Sequence, residues 1–334
     1  MPAGARGARS RNKIRHWESI EVSERFAGRN FLFPPPFWKS RLSMNCFKKF
    51  RVAPGSQPKL ADFDPDFAGR NERKKTARLK SAELQGRMSE LQFKLYAEQK
   101  QSLLICLQAP DAGGKDGVVR HVFAGVNPQG CRAVSFKEPS AEELAHDFLW
   151  RIEKQAPRRG EIAIFNRSQY EDVLIVRVHN LAPRAQWSQR FTQINDFERN
   201  LTAGGTRILK FFLHISREEQ LERFKDRLDD PARHWKISEA DYTERERWTA
   251  YETAYEDVFA RCSTNECPWF VIPSNHKWFR DLAISAIIVR TLEDMAIELP
   301  APTVDIADIR RKYHEAVGRA KGRKHTRKDD RRTA

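Results

Sequence analysis

The residues best suited to chemistry lie in one short stretch, Ala109-Pro110-Asp111-Ala112-Gly113-Gly114-Lys115-Asp116-Gly117. Set against the phosphate-cradling pattern G-x-x-x-x-G-K-[ST], Gly114 and Lys115 match, while Ala109 replaces the first glycine and Asp116 the hydroxyl residue. The physics of anion binding survives both exchanges. Small residues let backbone N–H groups face an anion, a helix N-terminus adds its dipole, and Lys115 adds a point charge. The bland alternative is an ordinary glycine-rich turn. Without a hydroxyl after the lysine, Asp111 is the natural oxygen donor to Mg2+, which takes carboxylates together with substrate phosphates. Asp116 is the second candidate, and otherwise a first-turn acid answering the helix dipole.

A second stretch, Phe165-Asn166-Arg167-Ser168-Gln169-Tyr170-Glu171-Asp172, places Asn166 where phosphoryl-transfer enzymes commonly put a metal-holding acid. The charge must then come from elsewhere, with Glu171 the candidate. Arg167 could clamp phosphate oxygens bidentately or sit solvated in a polar turn. A third segment, 222–248, gathers Arg223, Lys225, Arg227, Arg233, Lys236, Arg245 and Arg247 around Asp229-Asp230-Pro231 and Trp235. It reads either as a basic helical lid that excludes water or as a solvated charged face, and Trp235 favours the lid. The sequence has no HExxH, no G-x-S-x-G and no Cys/His pair at metal-ligand spacing.

These stretches need a scaffold. Ser102–Gln108 (SLLICLQ) is a continuous apolar run, as expected of a strand buried on both faces. It feeds the glycine-rich stretch, which leads into a helix predicted over Lys115–Ala124. Further strands are predicted at Cys131–Phe136, Glu161–Phe165, Arg207–Ile215 and Trp269–Ile272. Helices are predicted from Ser140 to about Lys154, over Pro183–Leu201, from Ser216 through Leu228, over about Glu239–Arg261 and over Trp278–Ile297. Ser140/Glu143 and Ser216/Glu219 have capping-box spacing. Before the first strand, Leu84, Met88, Leu91 and Leu95 mark one face of a helix within about Asn71–Gln99. The alternation predicts an α/β fold, a five-stranded parallel sheet covered on both faces. Ligands of such sheets gather at the carboxyl ends of the strands, where the first two stretches fall.

Taken together, the loop Ala109–Gly117, the run Phe165–Asp172 continuing through Val178, and Arg227-Leu228-Asp229-Asp230-Pro231 with Trp235-Lys236 resemble the polyphosphate kinase 2 family. The likeness runs from about Phe63 to Met295. The form F-N-R-S-x-Y-E-D looks like the class III branch, whose members phosphorylate nucleoside mono- and diphosphates. The resemblance implies a P-loop kinase-like three-layer αβα sandwich with a helical lid, a Mg2+ cofactor (Mn2+ as an alternative) and a homodimer or homotetramer. It implies reversible transfer of the terminal phosphoryl of inorganic polyphosphate to AMP and/or ADP, or to guanine nucleotides. The rivals are an ATP-dependent nucleoside monophosphate kinase and a non-catalytic polyanion-binding protein.

The expected catalytic residues are Asp111, Lys115, Arg167 and Glu171, with Asp111 and Glu171 on the metal. Gly113, Gly114, Asp116, Gly117, Arg120, Asn166, Arg177, Arg223, Arg227 and Lys236 are expected to bind phosphate or nucleotide. An acceptor phosphate is already ionised near neutral pH, so the chemistry asks for cations and alignment rather than a catalytic histidine.

The 334 residues carry a net charge of +15, and its placement matters more than its size. Residues 1–51 hold a net +9 and residues 310–334 a net +8, leaving the body near neutrality. Basic ends attract polyanions in general, and the resemblance does not require nucleic acid. The expected organisation is a partly disordered basic arm at 1–62, extended around the body over 31–70, then a kinase domain at 63–298 with its lid at about 222–248. A basic, disordered tail is expected at 299–334. Five unevenly spaced cysteines suggest reduced thiols, and no apolar stretch approaches a membrane span. With no apolar segment following the N-terminal arginines, a cytoplasmic protein is expected.

Overall fold

The computed structural model of the chain describes residues 41–69 and 72–329. The basic start at 1–16 and the prolines at 34–36 lie outside them. Helices α1 (Arg41–Phe50), α2 (Lys74–Glu98) and α3 (Lys115–Val122) bracket strand β1 (Ser102–Gln108). Then follow β2 (Cys131–Ser135), the short α4 (Ala141–Leu144) and α5 (Trp150–Glu153), β3 (Ile162–Asn166), α6 (Ile175–Val178) and α7 (Arg184–Ala203). The C-terminal half comprises β4 (Thr206–His214), α8 (Arg217–Leu228), α9 (Glu239–Glu246), α10 (Trp248–Cys262), β5 (Trp269–Pro273), α11 (Lys277–Asp294) and α12 (Ile306–Asp329). The five strands form one parallel sheet in the order β2-β3-β1-β4-β5.

Successive side chains of a strand point to opposite faces, so the apolar runs supply two cores at once. Leu103, Ile105 and Leu107 of β1 face α2, α3 and α11, together with Leu209, Phe211 and Ile272. Leu104 and Cys106 face the other way, with Phe165, Phe212 and Trp269, under α7 and α10. The result is the expected three-layer αβα sandwich. Among the described residues no helix is long and apolar enough to cross a membrane.

Several expected elements differ. The helix expected from Ser140 to Lys154 is two turns, because the Asp147 carboxylate accepts the Leu149 N–H at 2.9 Å and competes with helical pairing. The helix expected over Glu239–Arg261 breaks at Arg247, whose N–H turns back to Glu244 O at 3.1 Å while Trp248 is buried. The N-terminal arm is not extended throughout. Its α1 buries Cys46 and Phe50 against α11 and β5, and only then does the chain cross the body, Val52 N–H donating to Trp269 O at 2.9 Å.

The tail expected to lack structure is helical over Ile306–Asp329. Asp305 accepts from the N–H groups of Ala307 (2.8 Å) and Asp308 (3.2 Å), capping the first turn. Asp308 then pairs with Arg311 and with Lys312 at one-turn spacing.

Candidate active site

The loop between β1 and α3 has its shape set by two buried arginines. Ala112 (φ +58°) and Gly114 (φ +102°) are left-handed, and a Cβ on Gly114 would lie 2.1 Å from Arg280 Nη1. Only glycine meets both demands. Arg223 donates to Ala112 O at 2.9 Å and Gly113 O at 3.0 Å, and also to Ser274 O and Glu219. With those carbonyls held, the first N–H groups of α3 have no helical partner and are free for an anion. Lys115 Nζ donates to Ala109 O at 2.8 Å, and burial, followed by the Arg167 charge, lowers its pKa.

The turn after β3 supplies the opposite wall. Arg167 is left-handed (φ +64°), a conformation costing a non-glycine residue about 1 kcal/mol. Its N–H donates to Leu107 O at 3.1 Å, which pins the turn to β1. Its guanidinium lies 3.4 Å from Asp111 Oδ1 and 3.8 Å from Glu171 Oε2. Asn166 Nδ2 donates to Asp116 Oδ1 at 2.8 Å, and Lys236 reaches the other oxygen at 3.5 Å. Against burial, which pushes the Asp116 pKa up, these two partners hold it below the usual carboxylate value.

Behind this turn lies a fully buried cluster. Lys210 Nζ donates to Glu198 Oε2 (2.6 Å), Tyr170 Oη (2.9 Å) and Cys262 O (2.6 Å). Glu198 Oε1 in turn accepts from Tyr170 Oη at 2.7 Å and Gln169 Nε2 at 2.9 Å. Two residues of the turn are therefore tied to β4 and α7 immediately before Glu171.

Two hollows meet at these residues. A cavity of about 360 Å³ is walled by Phe212, Trp248, Tyr251 and Tyr255, with Asp111, Arg167 and Glu171 at its polar end. A cleft of about 810 Å³ runs over the loop, lined by Gly113, Gly114, Lys115, Asp116, Gly117 and Asn166, with Arg120, Arg223, Arg227, Lys236 and Arg280 around them. Asp111 and Arg167 belong to both. The hairpin of α8 and α9 joins at Pro231–Lys236, and from it Trp235, 78% exposed, overhangs the cleft.

One expected site residue is elsewhere. Arg177 lines neither hollow; it donates to Asp257 at 2.6 Å and stacks over Trp187, 4.9 Å from the ring centroid, which is a structural role. Other members were missed. Arg280 donates to Asp281 at 2.9 and 2.7 Å and packs on the loop glycines. Its signal was a lone charge on the apolar face of α11. The aromatic wall from α10, Trp248, Tyr251 and Tyr255, lies in a segment read from the sequence only as a helix. Among the described residues no three His, Cys, Asp or Glu side chains form a ready metal cage. Asp111 and Glu171, two oxygen donors facing one cavity, fit a hard divalent cation that completes its shell with water and phosphate oxygens.

Residues 71–300 match the family model for polyphosphate kinase 2. The AMP/ADP-polyphosphate phosphotransferase of Meiothermus ruber is 50% identical over 256 residues, covering 76% of this chain and 96% of its own. The ADP-polyphosphate phosphotransferase of Rhodopseudomonas palustris is 42% identical over 272 residues, 77% of this chain and 93% of its own. The crystal structure of polyphosphate kinase 2 from Arthrobacter aurescens TC1 superposes with a TM-score of 0.78 at 42% identity, covering 81% and 96% of the two chains.

Proposed function

The chain belongs to the polyphosphate kinase 2 family, and from that premise we propose that it transfers the terminal phosphoryl of inorganic polyphosphate to AMP and ADP, reversibly, in the manner of the class III branch. The observation that carries this reading is the shared wall. Asp111 and Arg167 line both the aromatic cavity and the basic cleft, so a nucleotide in one and a phosphate chain in the other meet there.

The nucleoside occupies the cavity, its purine against Tyr251, Tyr255 and Phe212, with its phosphate toward Arg167. His214, also in this wall, is held near pKa 4 by burial and is neutral at working pH, so it brings no charge against the base. The donor lies along the cleft, its last phosphate over the N–H groups that open α3. Lys115 screens the transferring group, and Arg167 holds oxygens of donor and acceptor together. Because the acceptor phosphate is ionised, no residue need take its proton. Asp111 and Glu171 would hold Mg2+, or Mn2+ in its place, which supplies charge screening between the two polyanions. Lys236 and Trp235 close over the chain and keep water from the transferring phosphoryl. A homodimer or homotetramer in the cytoplasm is the proposed form.

A coupled assay of AMP with polyphosphate and Mg2+ tests the reading. ADP and then ATP should form, and ATP supplied as donor in place of polyphosphate should support far less ADP formation. Equal rates from ATP alone would make the protein a nucleoside monophosphate kinase instead.

A further inference from the structure

We propose that the groove between the first turns of α2 and the start of α11 binds the distal units of a long phosphate chain, an extension that rests on polyphosphate being the donor. The groove, about 650 Å³, shares His121 and Lys277 with the phosphate-loop cleft, so a chain leaving the cleft enters it directly.

Its charges are arranged for an anion. The two carboxylates in its wall are already answered. Glu219 accepts from Arg223 Nε at 2.7 Å, and Asp281 accepts from Arg280 at 2.9 and 2.7 Å. The cations are not. Lys74 and Arg78, four residues apart on one face of α2, are exposed and have no hydrogen-bond or ion-pair partner among the described residues. Lys277 has only Asp226, at 3.8 Å, with both side chains more than half exposed. Burial, followed by the nearby Arg223 charge, lowers the Lys277 pKa.

A row of unpaired or loosely paired positive charges continuous with a phosphate-binding loop matches a ligand carrying one negative charge per repeating unit. Lys74 and Arg78 line the groove but not the cleft, so a donor confined to the cleft does not meet them. The groove therefore discriminates by chain length, not by chemistry.

The test is Lys74→Ala with Arg78→Ala in the full chain, assayed with tripolyphosphate and with long-chain polyphosphate at low salt. The KM for the long chain should rise about fivefold, as expected for two exposed contacts to a polyanion. The kcat, the KM for AMP and the KM for tripolyphosphate should stay as in the parent protein, and the thermal midpoint should not move. An unchanged long-chain KM overturns the proposal. So does an equal rise for tripolyphosphate, which would place the effect in the general field of the cleft. Transfer from tripolyphosphate by the parent protein tests the donor reading separately, and its absence with every polyphosphate would remove both.

Discussion

Lys115 and Asp111 carry the sharpest consequences at the scale of single side chains. Lys115 is half-buried against Ala109 O, and its charge is held there at some cost, as its lowered pKa records. Lys115→Ala should cut kcat by about 10²-fold or more, the loss expected for one preorganised charge at a transferring phosphoryl, with an unchanged unfolding midpoint. Near-parental turnover would remove the loop from the mechanism. The two aspartates differ in what already engages them. Asp116 is tied to Asn166 and Lys236, whereas Asp111 faces both hollows beside Arg167. At saturating Mg2+, Asp111→Asn should therefore reduce turnover more than Asp116→Asn, and the reverse ranking would move the metal to Asp116. These residues were legible in the sequence because they sit contiguously after two strands whose apolar runs announce themselves. Arg280 and the Tyr251–Tyr255 wall were not. Their part depends on which helix face meets the loop, and that is settled by packing between elements far apart in the chain.

At the scale of elements, the turn after β3 is only as fixed as the buried Lys210–Glu198–Tyr170 cluster beneath it. Removing one charge of such a pair leaves the other uncompensated, so Lys210→Met should cost about 3–5 kcal/mol in urea unfolding. Adding Glu198→Met should restore much of that stability. Turnover should stay low in the double variant, since Gln169 and Tyr170 lose the anchor that sets Arg167 and Glu171. Recovery of stability and kcat together would make the cluster purely structural. The end of β4 gives a pH signature. Burial holds His214 near pKa 4, below its usual 6.5. As pH falls through 6.5 toward 4, the unfolded chain binds a proton that the folded one refuses, so stability falls with pH, by about 3 kcal/mol at pH 4. His214→Gln should flatten that part of the unfolding-versus-pH curve. The strands could be read directly from composition, but the breaks at Asp147 and Arg247 could not. Each is a local hydrogen bond or a buried tryptophan overriding an otherwise helical pattern.

On the scale of the whole molecule, charge and architecture are separated. The rest of the chain is near neutral, while residues 1–51 and 310–334 carry the whole of the positive excess. Of the latter, α12 presents Arg310, Arg311 and Arg319 in the open. Such ends act on encounter, over a Debye length of about 10 Å at 0.1 M salt. Removing residues 1–16 and 310–334 should raise the KM for long polyphosphate at low ionic strength only, leaving kcat unchanged. The effect should add to that of Lys74→Ala/Arg78→Ala, because the sites are distinct. An unaltered long-chain KM would assign the ends to another task. The wall shared by cavity and cleft also dictates the order of events. With the nucleotide in the cavity and the phosphate chain in the cleft, as proposed, neither substrate has to depart before the other arrives, and the phosphoryl group never needs to rest on the protein. Initial rates measured against both substrates should give intersecting reciprocal lines, and enzyme incubated with polyphosphate alone should accumulate no covalent phosphate.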